Sequence, residues 1–132
     1  MRTILIDTNF WLLPFEKGLD VLAQLERLSE DAPWQAGISV PVKNELEAMA
    51  RGPTNAKRTR PARAALRVIE QLVSKGRARL LPYDGPADGS LITLALQNNA
   101  WVATNDRALK ARLKEKKIKV VVLRDEHKLE FG

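Results

Sequence analysis

The sequence predicts a three-layer α/β domain with a central, mainly parallel sheet. Three observations point there. Short apolar runs without polar alternation recur along the chain, as in strands covered on both faces. Stretches with apolar residues at helical spacing separate them, the alternation of an α/β fold with right-handed crossovers. And 132 residues, 45% of them hydrophobic, suit one domain with a real core.

The elements follow in order. Thr3 to Ile6 reads as a buried strand that ends on Asp7. Leu12 to Gly18 reads as a connector. Leu19, Leu22, Leu25 and Leu28 repeat at helical spacing, and Ser29 to Pro33 ends that helix. Gln35 to Val40 is a second strand. Pro41 suits the first turn of a helix, where its missing N–H costs nothing. At 100° per residue that helix groups Val42, Leu46 and Met49 on one face and brings Glu45 to the edge of it. Arg51 to Arg60 holds Gly52 and Pro53 and reads as a mobile loop. From Pro61 to Gly76 the spacing predicts a helix whose buried stripe is Ala62, Ala65, Leu66, Ile69, Leu72 and Val73. Arg79 to Tyr83 is a third strand, followed by a turn at Asp84-Gly85-Pro86. A helix from Ala87 places Asp88, Leu91, Ile92 and Ala95 on one inward arc. Trp101 to Thr104 is a strand, Asn105-Asp106 starts a helix, and Lys119 to Leu123 is a last parallel-type strand. The tail from Arg124 is a candidate edge strand.

Composition narrows the chemistry. There is no cysteine and one histidine, His127, so disulfides, thiolate sites and His-based zinc sites are excluded. Any metal must be held by oxygen, which favours Mg²⁺ or Mn²⁺. No apolar run approaches bilayer length and no leader pattern opens the chain, so the expectation is a cytoplasmic protein with no membrane partner. The net charge is +6. From Arg51 to Arg79 there are nine basic residues against Glu70 alone, and from Arg107 to Lys119 seven against Glu115. Cations in blocks suggest a polyanionic partner; the other reading is a solvated surface of a heat-adapted protein.

Four acids stand in similar settings: Asp7, Glu45, Asp88 and Asp106. Asp7 and Asp106 follow strands, and Glu45 and Asp88 sit early in helices, so all four fall on the rim beyond the carboxyl ends of the strands. Singly, each has an ordinary use. Asp7 can cap a turn, Asp88 and Asp106 can be helix caps or first-turn acids, and Glu45 can pair with a lysine. Together they are costly. Two carboxylates about 4 Å apart repel by about 4 kcal/mol at an effective dielectric of about 20, and a divalent cation reverses that sign. Such a cation can polarise a phosphodiester oxygen and activate a water against phosphorus. Thr8, Asn9, Thr104 and Asn105 flank the acids and can orient them or serve as turn and cap residues.

Ile4-Leu5-Ile6-Asp7-Thr8-Asn9, Val42-Lys43-Asn44-Glu45-Leu46, Ala87-Asp88 and Val102-Ala103-Thr104-Asn105-Asp106-Arg107 resemble, in order and over nearly the whole chain, the motifs of PIN-domain ribonucleases. The resemblance implies a PIN-like fold and Mg²⁺- or Mn²⁺-dependent endonucleolytic cleavage of RNA. Asp7, Glu45, Asp88 and Asp106 would hold the metal and carry catalysis, assisted by Asn9 or Thr104. The run from Val102 to Lys110 with its basic helix is most similar to the branch that matures small-subunit ribosomal RNA, the Fcf type. That branch often carries a second acid where this chain has Gly89. The family also implies a tendency to form a homodimer. With this resemblance, Arg51, Lys57, Arg58, Arg60, Arg63, Arg67, Arg107 and Lys110 are expected to contact RNA phosphates, in a ribonuclease selective for single strands. Two alternatives stand beside it: a toxin-type PIN ribonuclease with an antitoxin partner, and a non-catalytic RNA-binding assembly module. A two-aspartate phosphatase is disfavoured by Asn9 at the second acid's place, and a response-regulator receiver by the lack of an acid pair before Asp7.

Overall fold

The first apolar run forms β1 (Arg2–Ile6), and the other elements are laid around it. After it come α1 (Thr8–Lys17), α2 (Val21–Leu28), β2 (Trp34–Ser39), α3 (Val40–Ala50), α4 (Thr59–Ser74) and β3 (Ala78–Leu81). Then follow α5 (Ala87–Asn98), β4 (Trp101–Ala103), α6 (Arg107–Glu115), β5 (Val120–Arg124) and β6 (Lys128–Phe131). The computed structural model describes residues 1–132.

The six strands form one sheet in the order β3-β2-β1-β4-β5-β6. Every neighbouring pair is parallel except β5 with β6. Helices flank the sheet, with α1 to α4 packing among themselves and α5 against α6. The three-layer α/β reading is what the chain adopts. Ile4, Leu5 and Ile6 are at most 1% exposed, which is why their run lacks polar alternation. A Cβ on Gly37 of β2 would stand 2.7 Å from Leu5 Cδ2, so a larger residue there would have to displace that buried side chain.

The winding direction reverses beside β1. The chain runs outward through β2 and β3, then returns to place β4 on β1's other side. Parallel sheets open a crevice at such a reversal, beyond the carboxyl ends of the two strands. Those ends here are Asp7 and Thr104.

Several boundaries differ from the sequence reading. Leu12 to Gly18 is not a connector but the second half of α1, which ends on Gly18 in a left-handed conformation (φ 66°). Thr8, Phe10, Trp11, Leu12 and Leu13 are all buried, so the helix shows no polar stripe, and Pro14 lies inside it. β2 stops at Ser39 because Val40 already belongs to α3, whose first turn Ser39 caps by accepting from the Val42 amide at 3.3 Å. The loop after α3 ends at Arg58, since buried Thr59 starts α4. β3 lies at 78–81 instead of 79–83. Val73 is exposed and Leu66 half-buried, so the buried stripe of α4 is narrower than the spacing predicts.

The tail does form an edge strand, and side chains of α2 close its outer edge. Gln24 Nε2 donates to the His127 carbonyl at 2.9 Å, the Leu129 amide donates to Gln24 Oε1 at 2.6 Å, and Arg27 donates to the Leu129 carbonyl at 2.8 Å. Main-chain groups that would otherwise invite another strand are thus satisfied.

Candidate active site

Asp7 sits at the reversal point, at the end of β1 and the start of α1, and is only 9% exposed. Its position is over-determined. Its amide donates to the Ala103 carbonyl at 3.0 Å, which locks it to the end of β4. Oδ1 accepts from the Thr8 amide at 2.8 Å, and Oδ2 accepts from Thr104 Oγ1 at 2.7 Å. Thr104 is fully buried, and its hydroxyl oxygen also accepts the Asp106 amide at 3.1 Å. The two strand ends and their acids are therefore one hydrogen-bonded unit. Each Asp7 oxygen keeps a lone pair for a further partner.

Burial raises the Asp7 pKa above the ordinary range. The bonds from Thr104 and Thr8 oppose that rise, and the neighbouring Asp88 and Glu45 charges add to it. That coupling places Asp88 and Glu45 within electrostatic reach of Asp7. Glu45 is also linked directly, for Thr8 Oγ1 donates to Glu45 Oε1 at 2.5 Å. Thr8 thus bridges two acids, through its amide to one and its hydroxyl to the other.

Two placements correct the sequence reading. Glu45 is not on the buried edge of α3: Val42 and Leu46 are buried but Glu45 is exposed. Asp88 is likewise exposed, although Leu91, Ile92 and Ala95 of its arc are buried. Both lie above the sheet's end, where a side chain on an inward arc meets solvent instead of core. Asp106 is exposed and caps α6, accepting the Leu109 amide at 2.9 Å. Asn9 is exposed, and Asn105 accepts the Leu123 amide at 2.9 Å. Asp84 is exposed in the turn before α5.

None of the four acids has a cationic partner. The molecule's ion pairs are Lys17–Glu126, Lys43–Glu47, Arg58–Glu16 and Arg124–Glu130. Lys43 turns to Glu47, one turn along α3, and leaves Glu45 alone. No three acid or histidine side chains converge closely enough to enclose an ion by themselves. A hard cation that keeps several waters does not require that; one or two carboxylates and a water shell suffice. All-oxygen donors around a buried, uncompensated carboxylate fit Mg²⁺ or Mn²⁺. Asp7 would hold such an ion directly, with Glu45 and Asp88, whose charges reach it, beside its water shell and Asp106 tied in only through Thr104.

Three further residues shape the site and escaped the sequence reading. Ser39 and Ser90 are fully buried with their hydroxyls 2.8 Å apart, tying the end of β2 to the first turn of α5. Ser39 was findable, since Ser-Val-Pro is an N-cap signature. Ser90 carried no such signal. Neither did Tyr83, whose hydroxyl lies 3.0 Å from where a Cβ on Gly89 would stand. The phenol thus borders the backbone of the first turn of α5.

The cations divide. Arg51, Lys57, Arg60, Arg67 and Arg107 are exposed, and Lys110 is half-buried. Arg58 is paired with Glu16 at 3.1 Å, and Arg63 Nε donates to the Ala50 carbonyl at 2.9 Å, closing the end of α3.

Known proteins resemble this chain over nearly its whole length. The model of the family described as PIN like domain matches residues 4–126. Ribonuclease VapC4 of Methanocaldococcus jannaschii is 31% identical over 135 residues, which cover 100% of this chain and 98% of that protein. The structure of the PIN domain endonuclease Utp24 superposes with a TM-score of 0.76 at 25% identity, covering 98% of this chain and 90% of that one. A domain of a functionally unknown protein from M. jannaschii shares the fold, with a TM-score of 0.64 at 15% identity over 94% and 92% of the two chains.

Proposed function

The chain belongs to the PIN-like domain family, and from that premise we propose that it is a divalent-metal-dependent endoribonuclease selective for single strands. The observation that carries the reading is the Asp7 carboxylate: buried, tied to both strand ends, crowded by Glu45 and Asp88, and without a cation of the protein's own. A full-length relative named as a ribonuclease and a fold neighbour named as an endonuclease support it.

The chain's own residues do the positioning. Thr104 and Thr8 hold the two Asp7 oxygens in fixed directions, so the carboxylate presents one orientation outward. Thr8 also aims Glu45 at the same space. The bound cation supplies charge for the scissile phosphate and for an attacking water. Asp7, through a remaining lone pair, or Asp106, through its uncapped oxygen, would orient that water. Arg51, Lys57, Arg60, Arg67 and Arg107 are free to take backbone phosphates, which makes binding sensitive to salt.

The role we favour is maturation of ribosomal RNA, on the motif from Val102 to Lys110 and its basic helix. The second reading, a toxin-type ribonuclease with an antitoxin partner, is favoured by the end-to-end match to Ribonuclease VapC4. A homodimer is compatible with either. The test is cleavage of single-stranded RNA with Mn²⁺ or Mg²⁺, run beside Asp7→Asn. Cation-dependent cutting that the variant loses supports the nuclease. Binding without cutting under both metals leaves the assembly-module reading. Growth arrest on expression, relieved by a small co-expressed partner, would favour the toxin role; site-specific cutting of precursor ribosomal RNA would favour maturation.

A further inference from the structure

The opposite rim of the sheet carries a second concentration of charge. Arg2 opens β1, Trp101 opens β4, and Lys119 stands just before β5, so all three lie at the amino ends of parallel strands. α6 runs back from Asp106 and delivers Lys116 and Lys117 to this same end. Together with Asn99 these residues line an open hollow of about 320 Å³ whose ten lining residues include no acid. A neighbouring hollow that shares Arg2 and Asn99 has no acid either. None of Arg2, Lys116, Lys117 and Lys119 takes part in an ion pair.

Two of these cations are held by aromatic rings instead. The Arg2 guanidinium lies 5.0 Å from the Trp101 ring centre, and its Nη1 donates to the Asn99 carbonyl at 2.7 Å. Lys119 Nζ lies 5.4 Å from Trp101 and 4.5 Å from Phe131, and the two rings meet edge to face at 5.0 Å. A ring steadies a cation without neutralising it. Such a perch keeps the whole positive charge available to an outside anion, which a carboxylate partner would not. Lysines near the end of α6 also suit its helix dipole, but that does not account for Arg2, which arrives from β1.

We infer that this rim is a second RNA-binding surface, separate from the catalytic one, where Arg2, Lys116, Lys117 and Lys119 take the phosphates of the same single strand. The choice of RNA over another polyanion rests on the nuclease reading. The two rims are separated by the length of β1, about 17 Å at about 3.3 Å per residue. A strand stacked at about 3.4 Å per nucleotide needs roughly five or more nucleotides to reach from one to the other. The surface therefore acts as a length gauge. It tightens binding of long strands, which reach both surfaces, whereas a short one reaches only one surface at a time.

The test is binding of labelled single-stranded RNA of about three and about twenty nucleotides, in chelator, to the full chain and to a Lys117→Glu/Lys119→Glu double variant. A Lys117→Gln/Lys119→Gln variant and circular dichroism guard against misfolding. The expected result is a loss of about tenfold or more for the long strand and little change for the short one. The salt slope for the long strand should also flatten by about 1.4, two contacts at about 0.7 each. Equal losses for both lengths, or none, would overturn the inference. So would retained RNA binding alongside lost adsorption to phosphatidylserine vesicles, which would make the surface a membrane contact. Binding is read without metal. If the length effect appears and cutting never does, the surface stands and the nuclease reading falls.

Discussion

The two ends of the sheet are electrostatic opposites. Beyond the carboxyl ends of the strands lie Asp7, Glu45, Asp88 and Asp106, with no ion pair among them. At the amino ends lie Arg2, Lys116, Lys117 and Lys119, with no acid lining their hollow. The molecule's ion pairs, such as Lys43–Glu47 and Arg58–Glu16, lie away from both sets. On the readings proposed above, a cation would compensate one rim and phosphates the other. The basic run from Arg107 to Lys119 thus serves two places, since α6 carries its two ends to opposite rims.

The sharpest break in this contrast is Asp7→Asn, which removes the buried charge at the acidic rim. Metal-dependent cleavage should fall by more than the about 10–100-fold expected for losing a supporting hydrogen bond. Thr104→Val, which removes such a bond and leaves the charge, should cost about that 10–100-fold in single-turnover cleavage. If Thr104→Val cost more than Asp7→Asn, the assignment of roles would be reversed.

A second group of tests reads stability. Because the fold raises the Asp7 pKa, the folded state holds that proton more tightly than the unfolded state. Stability from this group is therefore present at low pH and lost as pH rises through the raised value. In chelator, Asp7→Asn should melt above wild type at neutral pH, and the gap should close as the buffer is taken below the ordinary aspartate range. Added Mn²⁺ should raise the melting point of wild type and leave that of the variant nearly unmoved. Ser39→Ala should lower stability by about 1 kcal/mol, through the lost cap, while the Ser90 hydroxyl keeps the Ala87 carbonyl as a partner. The smallest effect belongs to Arg58→Ala. Its pair with Glu16 is partly exposed, so denaturant melts should show less than about 1 kcal/mol. RNA affinity should fall less than for Lys57→Ala beside it.

The α/β alternation and the rim beyond the strand ends were legible because parallel strands leave unbroken apolar runs and their ends fall on polar residues. What was not legible has specific causes. α1 is buried on too many sides to show a stripe, and Pro14 inside it reads as a stop. Glu45 and Asp88 follow the helical arc of core residues, but the arc extends past the edge of the sheet, and periodicity does not tell where the sheet ends. The roles of Thr8 as a bridge and Ser90 as a tie depend on contacts across 37 and 51 residues. The split of the basic run required knowing which way α6 points.

One consequence of the Asp7–Thr104 bond concerns time. Its partners stand 97 residues apart, and β1 cannot be paired on that side until β4 exists. Chains are synthesised at about 5–20 residues per second, and contacts between distant residues form late in folding. For many seconds of its synthesis the nascent chain carries Asp7 without the strand that positions it. The pocket around Asp7 thus has no half-built form: it is set only once β4 has been made and has paired with β1.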